Sequence, residues 1–251
     1  MKPAWITRLL KRRTADTTEV AAVAPETRFY AIGDIHGRLD LLQSLLARLD
    51  PECPIVFVGD YVDRGEQSAQ VLRHLFDLSD VSDRQMTCLM GNHEEMLLQF
   101  LDMPEYTSRL WLRNGGLQTL ASFGVSCSDD PDDDQARAVA AQLRRAMGET
   151  LIDWLHTRPL TWTSGNVTVV HAGLDPTRPV DHQHRQTCLW GHRLFPRTAR
   201  TDGQWVLHGH TITPAPRSEN GVISIDTGAF ATGRLTAAEV SPAGVQFIST
   251  G

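Results

Sequence analysis

Five short stretches of this sequence set Asp, Asn or His beside glycine. They are Gly33-Asp34-Ile35-His36-Gly37, Gly59-Asp60-Tyr61-Val62-Asp63-Arg64-Gly65, Gly91-Asn92-His93-Glu94, His171-Ala172-Gly173 and Gly209-His210-Thr211. Carboxylate, amide and imidazole donors together suit a borderline divalent metal, Mn2+ first, with Fe2+ or Zn2+ as alternatives. Asp34 and His36 stand two apart, so an extended segment would aim both side chains at one metal. Asp60 can bridge that metal to a second, which Asn92 (through its carbonyl oxygen), His171 and His210 would complete. Two metals about 3.5–4 Å apart share a water and lower its pKa, which yields a hydroxide nucleophile near neutral pH. Two divalent cations less the carboxylates of Asp34 and Asp60 leave about +2 at the site, ready for an anionic substrate. The chemistry these residues suit is cleavage of phosphate esters.

Such a set needs strands that end together. Phe29–Ile32 and Ile55–Val58 are apolar runs that each stop at Gly-Asp, and Leu39, Leu42, Leu45, Leu46 and Leu49 recur between them at helical spacing. Val71, Leu72, Leu75 and Phe76 predict a second helix, and Met86–Met90 a third strand ending at Gly91. This order predicts βαβ units, whose ligand sites lie outside the carboxyl ends of the strands. Glu94–Leu101 predicts a further helix, broken at Trp111–Gly116. The acidic run from Asp129 to Asp134 reads as a solvated loop, and Val139, Leu143, Ala146 and Met147 as another helix. Residues 102–158 thus form an insertion expected to cap the site. Short strands follow: Val167–Val170, Trp205–Leu207, Val222–Ile225, and a closing hairpin of Leu235–Val240 with Val245–Ile248. The expected fold is α/β, with two mixed sheets packed as a sandwich between helices, the second sheet being the more antiparallel.

At 251 residues and a formal charge of −6, the chain can bury a full core but carries no general basic face for nucleic acid. Lysine occurs only at Lys2 and Lys11, which excludes a P-loop or Schiff-base lysine from the body of the protein. Cys53, Cys88, Cys127 and Cys188 form no Cys-x-x-Cys pair; reduced thiols in the cytoplasm are the expectation. Residues 1–27 read as a flexible basic tail. Its first part, Met1–Arg13, sets Trp5, Ile6, Leu9 and Leu10 among basic residues, with contact to an anionic membrane surface as the minor reading.

The motifs resemble those of the calcineurin-like metallophosphoesterases, in particular the phosphoprotein phosphatase branch with its small bacterial and phage serine/threonine phosphatases. The resemblance runs from about Arg28 to the C-terminus. It implies the ligand set above, with His93 protonating the leaving oxygen, Asp63 orienting the ring of His93, and Arg64 clamping phosphate oxygens. Asn92 would also touch the phosphate. Two departures stand out. Many relatives end in Gly-His-x-His, where this chain has Ile212. Where similar bacterial proteins have Leu-Trp-Ile-Arg with a second clamping arginine, this chain has Leu189-Trp190-Gly191-His192-Arg193, so either His192 or Arg193 would serve. His208 reads as a packing residue beside His210, and His74, His156, His182 and His184 as surface or helix-end residues. Asp226 reads as a turn former.

The implied activity is a two-metal phosphomonoesterase acting first on serine/threonine phosphoproteins. A symmetrical dinucleoside polyphosphate or nucleotide hydrolase is the alternative, and a non-catalytic module that keeps its metals is the second. The expected partner is a phosphoprotein or small phosphate ester.

Overall fold

Alternation along short strands divides the apolar residues between two cores. A computed structural model describes residues 20–81 and 85–251. Strand β1 (Phe29–Ile32), helix α1 (Leu39–Leu46), β2 (Ile55–Phe57), α2 (Ser68–Val81) and β3 (Met86–Cys88) follow one another, and the three strands run parallel. Side chains on a strand point alternately to its two faces. Phe29 and Ala31 of β1 accordingly join the core between the sheets, while Tyr30 and Ile32 join the core beneath the helices.

Helix α3 (Asn92–Asp102) begins two residues earlier than the apolar pattern indicates, so Asn92 and His93 form its first turn. Helices α4 (Pro104–Trp111), α5 (Leu117–Ser122), α6 (Asp133–Met147) and α7 (Glu149–His156) follow. A π-helical turn at Leu112–Gly116, with Gly115 at φ 105°, breaks the path between α4 and α5 as the glycine pair predicts. The acidic run is not wholly a loop. Asp132 caps α6 by accepting the Gln135 N–H at 2.9 Å, and Asp133 and Asp134 lie in its first turn, where negative charge favours the helix dipole. The segment expected as a cap is continuous with the helical core, to which it contributes Trp111, Leu120, Leu143 and Leu155, all fully buried.

The second sheet comprises β4 (Thr161–Ser164), β5 (Val167–Val170), β6 (Trp205–His208), β7 (Arg217–Glu219) and β8 (Val222–Ser224), in the order β4-β5-β6-β8-β7. Its three central strands are parallel and only its edges antiparallel. The second sheet is only half antiparallel, not the more antiparallel of the two as expected, because a long crossover carrying α8 (Arg185–Trp190) joins β5 to β6, and such connections make parallel neighbours. Helix α9 (Ala229–Thr232) leads to β9 (Thr236–Ser241) and β10 (Gly244–Ser249). This hairpin returns to the first sheet beside β1, where Ala237, Ala238 and Val240 are fully buried. Phe29, Val56, Val58 and Leu89 pack against Val167, Val169, Leu207 and Ile223 between the sheets.

The basic stretch Met1–Arg13 lies outside the described residues. The end of the expected tail is bonded to the domain: the Ala24 N–H donates to Asn166 Oδ1 at 2.7 Å, and Trp205 Nε1 donates to the Ala21 carbonyl at 2.7 Å. Residues 21–26, which fall within the expected tail, thus lie across the β4–β5 turn and the start of β6. Among the described residues no helix is long and apolar enough to cross a membrane.

Phe100 is fully buried, with its ring 4.6 Å from that of Trp111. Phe100→Ala should cost about 3–5 kcal/mol, read as a lower denaturation midpoint in urea; a midpoint within error of the parent would contradict this packing.

Candidate active site

The functional side chains stand where the parallel strands end and the chain must leave the sheet. Asp34 and His36 follow β1, Asp60 follows β2, Asn92 and His93 open α3 after β3, His171 follows β5 and His210 follows β6. His36, Asp60, Asp63, Arg64 and His210 all have φ between 45° and 71°; among the described non-glycine residues only Asn220 shares the positive sign. Each such conformation costs about 1–3 kcal/mol and persists only when its surroundings over-determine it. The left-handed turn at His36 also corrects the expectation of an extended Asp34–His36 segment. It is the turn, rather than strand alternation, that brings His36 Nε2 to 3.5 Å from Asp60 Oδ2.

Asp60 is the shared member of two donor groups, His36–Asp60–His93 and Asp60–His171–His210. Its second oxygen lies 3.4 Å from His171 Nε2. Asn92 Oδ1 lies 2.8 Å from His171 Nε2 and 2.9 Å from His210 Nδ1, so it belongs with the second group. His36 Nδ1 donates to the Val62 carbonyl at 2.8 Å, and His171 Nδ1 to the Val58 carbonyl at 3.1 Å. A carbonyl can only accept, so these bonds leave each Nε2 as a lone pair facing the cluster, the arrangement metal-ligating histidines adopt. Asp34 stands slightly apart: its carboxylate accepts the His210 N–H at 2.9 Å. Gly209 permits this approach, since a Cβ there would fall 1.9 Å from Asp34 Oδ1.

His93 is differently placed. Its Nδ1 donates to Asp63 Oδ2 at 2.6 Å, and its Nε2 faces Arg64 Nη2 at 3.2 Å. Asp63 is itself held by Trp111 Nε1 at 3.0 Å and by the Thr119 hydroxyl at 2.6 Å. The Arg64 guanidinium lies over the Phe230 ring at 4.8 Å. Its backbone is cradled by Gly115, where a Cβ would meet Arg64 N at 2.6 Å.

Sequence reasoning missed Glu94, Trp111 and Thr119. Glu94, fully buried, accepts N–H groups from Asp60 at 2.8 Å, Tyr61 at 2.7 Å, Val62 at 3.3 Å and Gly91 at 3.0 Å. It ties the left-handed Asp60 turn to the start of α3. A glutamate in the first turn that reaches back to the preceding backbone is a legible signal; nothing local marks Trp111 or Thr119 as partners of Asp63.

The electrostatics call for cations. Burial pushes the Asp34 carboxyl well above the usual range, with Asp226 and Asp60 adding to the effect. Burial and Asp60 push Glu94 up as well, opposed by the N–H groups of Tyr61 and Asp60, which favour its charged form. Burial also lowers His36 to about 3 and His210 to about 4, so both imidazoles are neutral donors. Asp60 moves the other way: burial opposes its charge, but His171, His93 and His36 outweigh that and keep it low. Buried carboxylates whose charge needs compensation, beside neutral imidazole lone pairs, are a donor set that divalent metals fit. His93 differs again. Burial would strip its proton, but Asp60 and Asp63 hold its pKa above the ordinary value.

His192 and Arg193 do not enter the cluster. Both line a neighbouring cleft of about 420 Å³, with Trp190, Phe195, His210 and Arg217. His192 Nε2 lies 3.9 Å from Asp175, and Arg193 is exposed. A larger cleft, about 800 Å³, is lined by Glu105, Asp132, Asp133 and Asp134 together with Arg109 and Arg137, and it shares no residue with the cluster. His208 packs against Phe195 and bonds Ser224 Oγ at 2.8 Å. Asp226 accepts the Gly228 N–H at 2.8 Å in a turn.

The sequence profile of the calcineurin-like phosphoesterases matches residues 27–219. A symmetrical bis(5'-nucleosyl)-tetraphosphatase of Chromobacterium violaceum is 33% identical over 59% of this chain and 43% of its own length. The chain thus spans less than half of that relative. An asymmetrical bis(5'-nucleosyl)-tetraphosphatase of Oceanobacillus iheyensis is 26% identical over 82% of this chain and 86% of its own. A crystal structure provisionally described as a diadenosine tetraphosphatase superposes with a TM-score of 0.62 at 22% identity, covering 92% of this chain and 96% of that one. At that identity the superposition speaks for the fold alone.

Glu94→Gln keeps the shape of the side chain but turns an amide donor toward backbone N–H groups. It should destabilise the protein by about 1.5–3 kcal/mol, read from denaturant unfolding of the metal-free protein; an unchanged midpoint would show that the Asp60 turn does not depend on this carboxylate.

Proposed function

The chain belongs to the calcineurin-like phosphoesterase family, and from that premise we propose that it hydrolyses dinucleoside polyphosphates. The observation that carries the nucleotide reading is the cleft beside His210. Its aromatic and basic walls, Trp190, Phe195, Arg193 and Arg217, suit a nucleoside and its phosphates better than an extended phosphopeptide. Similarity to bis(5'-nucleosyl)-tetraphosphatases over most of the chain supports the same order. The serine/threonine phosphoprotein reading becomes second, because the metal and phosphate motifs are common to both and say nothing of the leaving group. A nucleotide substrate and cysteines without a disulfide also fit a cytoplasmic enzyme.

Asp34, His36, Asp60, Asn92, His171 and His210 would hold two divalent cations, manganese being the first to test. When bound, these would neutralise phosphate charge and acidify a water for attack. His93 keeps one proton toward Asp63 and presents the other at Nε2 to the departing oxygen. Arg64 and a protonated His93 are both donors, so they cannot bond each other. Protonation of His93 therefore releases the guanidinium to fork phosphate oxygens. Phe230 beneath Arg64 keeps that plane in place.

The deciding measurement is kcat/KM for diadenosine tetraphosphate against a phosphoserine peptide with manganese supplied. A preference for the dinucleotide on the order of a hundredfold is expected; the opposite preference would restore the phosphoprotein reading. His93→Asn should lower kcat on phosphoserine by about 10²–10⁴-fold. The loss on the dinucleotide should be smaller, because a phosphate leaving group with a pKa of about 6 needs less protonation. Equal losses on both substrates would remove His93 from the acid role.

A further inference from the structure

Trp190 ends α8 and leaves 37% of its surface open, a large exposure for an indole. Its open face does not lie on a convex patch; it forms part of the cleft that begins at His210. Its ring centroid is 6.3 Å from that of His210, so a group lying on the indole would be adjacent to the phosphate site. The ring is also held. Trp190 Nε1 donates to Glu95 Oε2 at 3.3 Å, and the other oxygen of Glu95 accepts Arg185 Nε at 2.7 Å. Glu95 stands two residues after His93 on α3, so the indole is fixed to the same helix that presents Asn92 and His93. A flat aromatic face, oriented by its own N–H and open to a cleft beside a phosphate site, has the geometry of a stacking platform. Nucleobases stack on such faces whatever their sequence identity.

We propose that Trp190 is the nucleobase platform of this site, which stacks one base of the substrate while its attached phosphates reach the Asp60 cluster. The assignment rests on the dinucleotide reading. It makes Trp190 a specificity determinant that acts on base-bearing phosphates and is indifferent to base-free ones. Glu95 and Arg185 are positioning residues for the ring. The Gly191-His192-Arg193 segment that departs from the family pattern then forms the next stretch of the same wall, where an exposed arginine can meet phosphates beyond the one being cleaved.

The test compares two ligands that differ only in the base. Calorimetric affinities of AMP and ribose 5-phosphate are measured on manganese-loaded wild type, Trp190→Ala and Trp190→Phe, with circular dichroism to verify folding. Trp190→Ala should weaken AMP binding by about 5- to 150-fold, the range for loss of one stacked base, and leave ribose 5-phosphate unchanged. Trp190→Phe should restore most of the AMP affinity. Equal wild-type affinity for both ligands, or a parallel loss of both in Trp190→Ala, would overturn the assignment. The two readings also fail separately. If diadenosine tetraphosphate is not cleaved but AMP binding depends on Trp190, the hydrolase reading falls and the platform stands. If the dinucleotide is cleaved with no dependence on Trp190, the platform falls alone.

Discussion

Everything in this site depends on keeping one carboxylate, Asp60, charged and strained in a place that water does not reach. Asp60 is buried in a left-handed turn and faces imidazoles from His36, His93, His171 and His210. An isolated buried anion would take up a proton, and an unsupported left-handed aspartate would relax. Two sets of contacts oppose these tendencies. The protonated ring of His93, with Nε2 3.8 Å from Asp60 Oδ2, offsets the charge, and the carboxylate of Glu94 gathers the N–H groups of Asp60 and its neighbours, fixing the turn against the start of α3. The helix start returns the favour, since the His93 N–H donates to Asp60 Oδ1 at 3.1 Å.

From that point the fold reads as a scaffold for exits. Three parallel strands of one sheet and two of the other end at the same edge, and each end delivers one part of the site. The helical segment 102–158 is joined to the site from below: Trp111 and Thr119 hold Asp63, Asp63 holds His93, and Gly115 supports Arg64. A disturbance in that segment would reach His93 and Arg64 before it reached Asp34, His36 or Asp60.

Much of this was legible in the sequence, for local reasons. Gly-Asp, Gly-Asn and Gly-His at the ends of apolar runs mark strand exits, and donor chemistry does the rest, so Asp60, Asn92, His171 and His210 could be named before any coordinates. What was not legible depends on contacts distant in sequence or on backbone sign. The turn at His36 is left-handed, which alternation cannot express. The partners of Asp63 lie 48 and 56 residues away. The closing hairpin looks like part of the second sheet by order, yet its small buried residues fit beside β1. The divergence at His192-Arg193 was visible, but only the structure puts both residues on a cleft wall next to Trp190, away from the cluster.

The central claim is that Asp60 is common to two cation positions. Metal content per chain, measured by mass spectrometry after manganese loading of wild type and Asp60→Asn, tests it most directly. The account predicts two ions per wild-type chain and loss of both in the variant. A variant that loses one and retains the other at full occupancy would show that Asp60 serves a single position, and the shared-carboxylate account would be wrong.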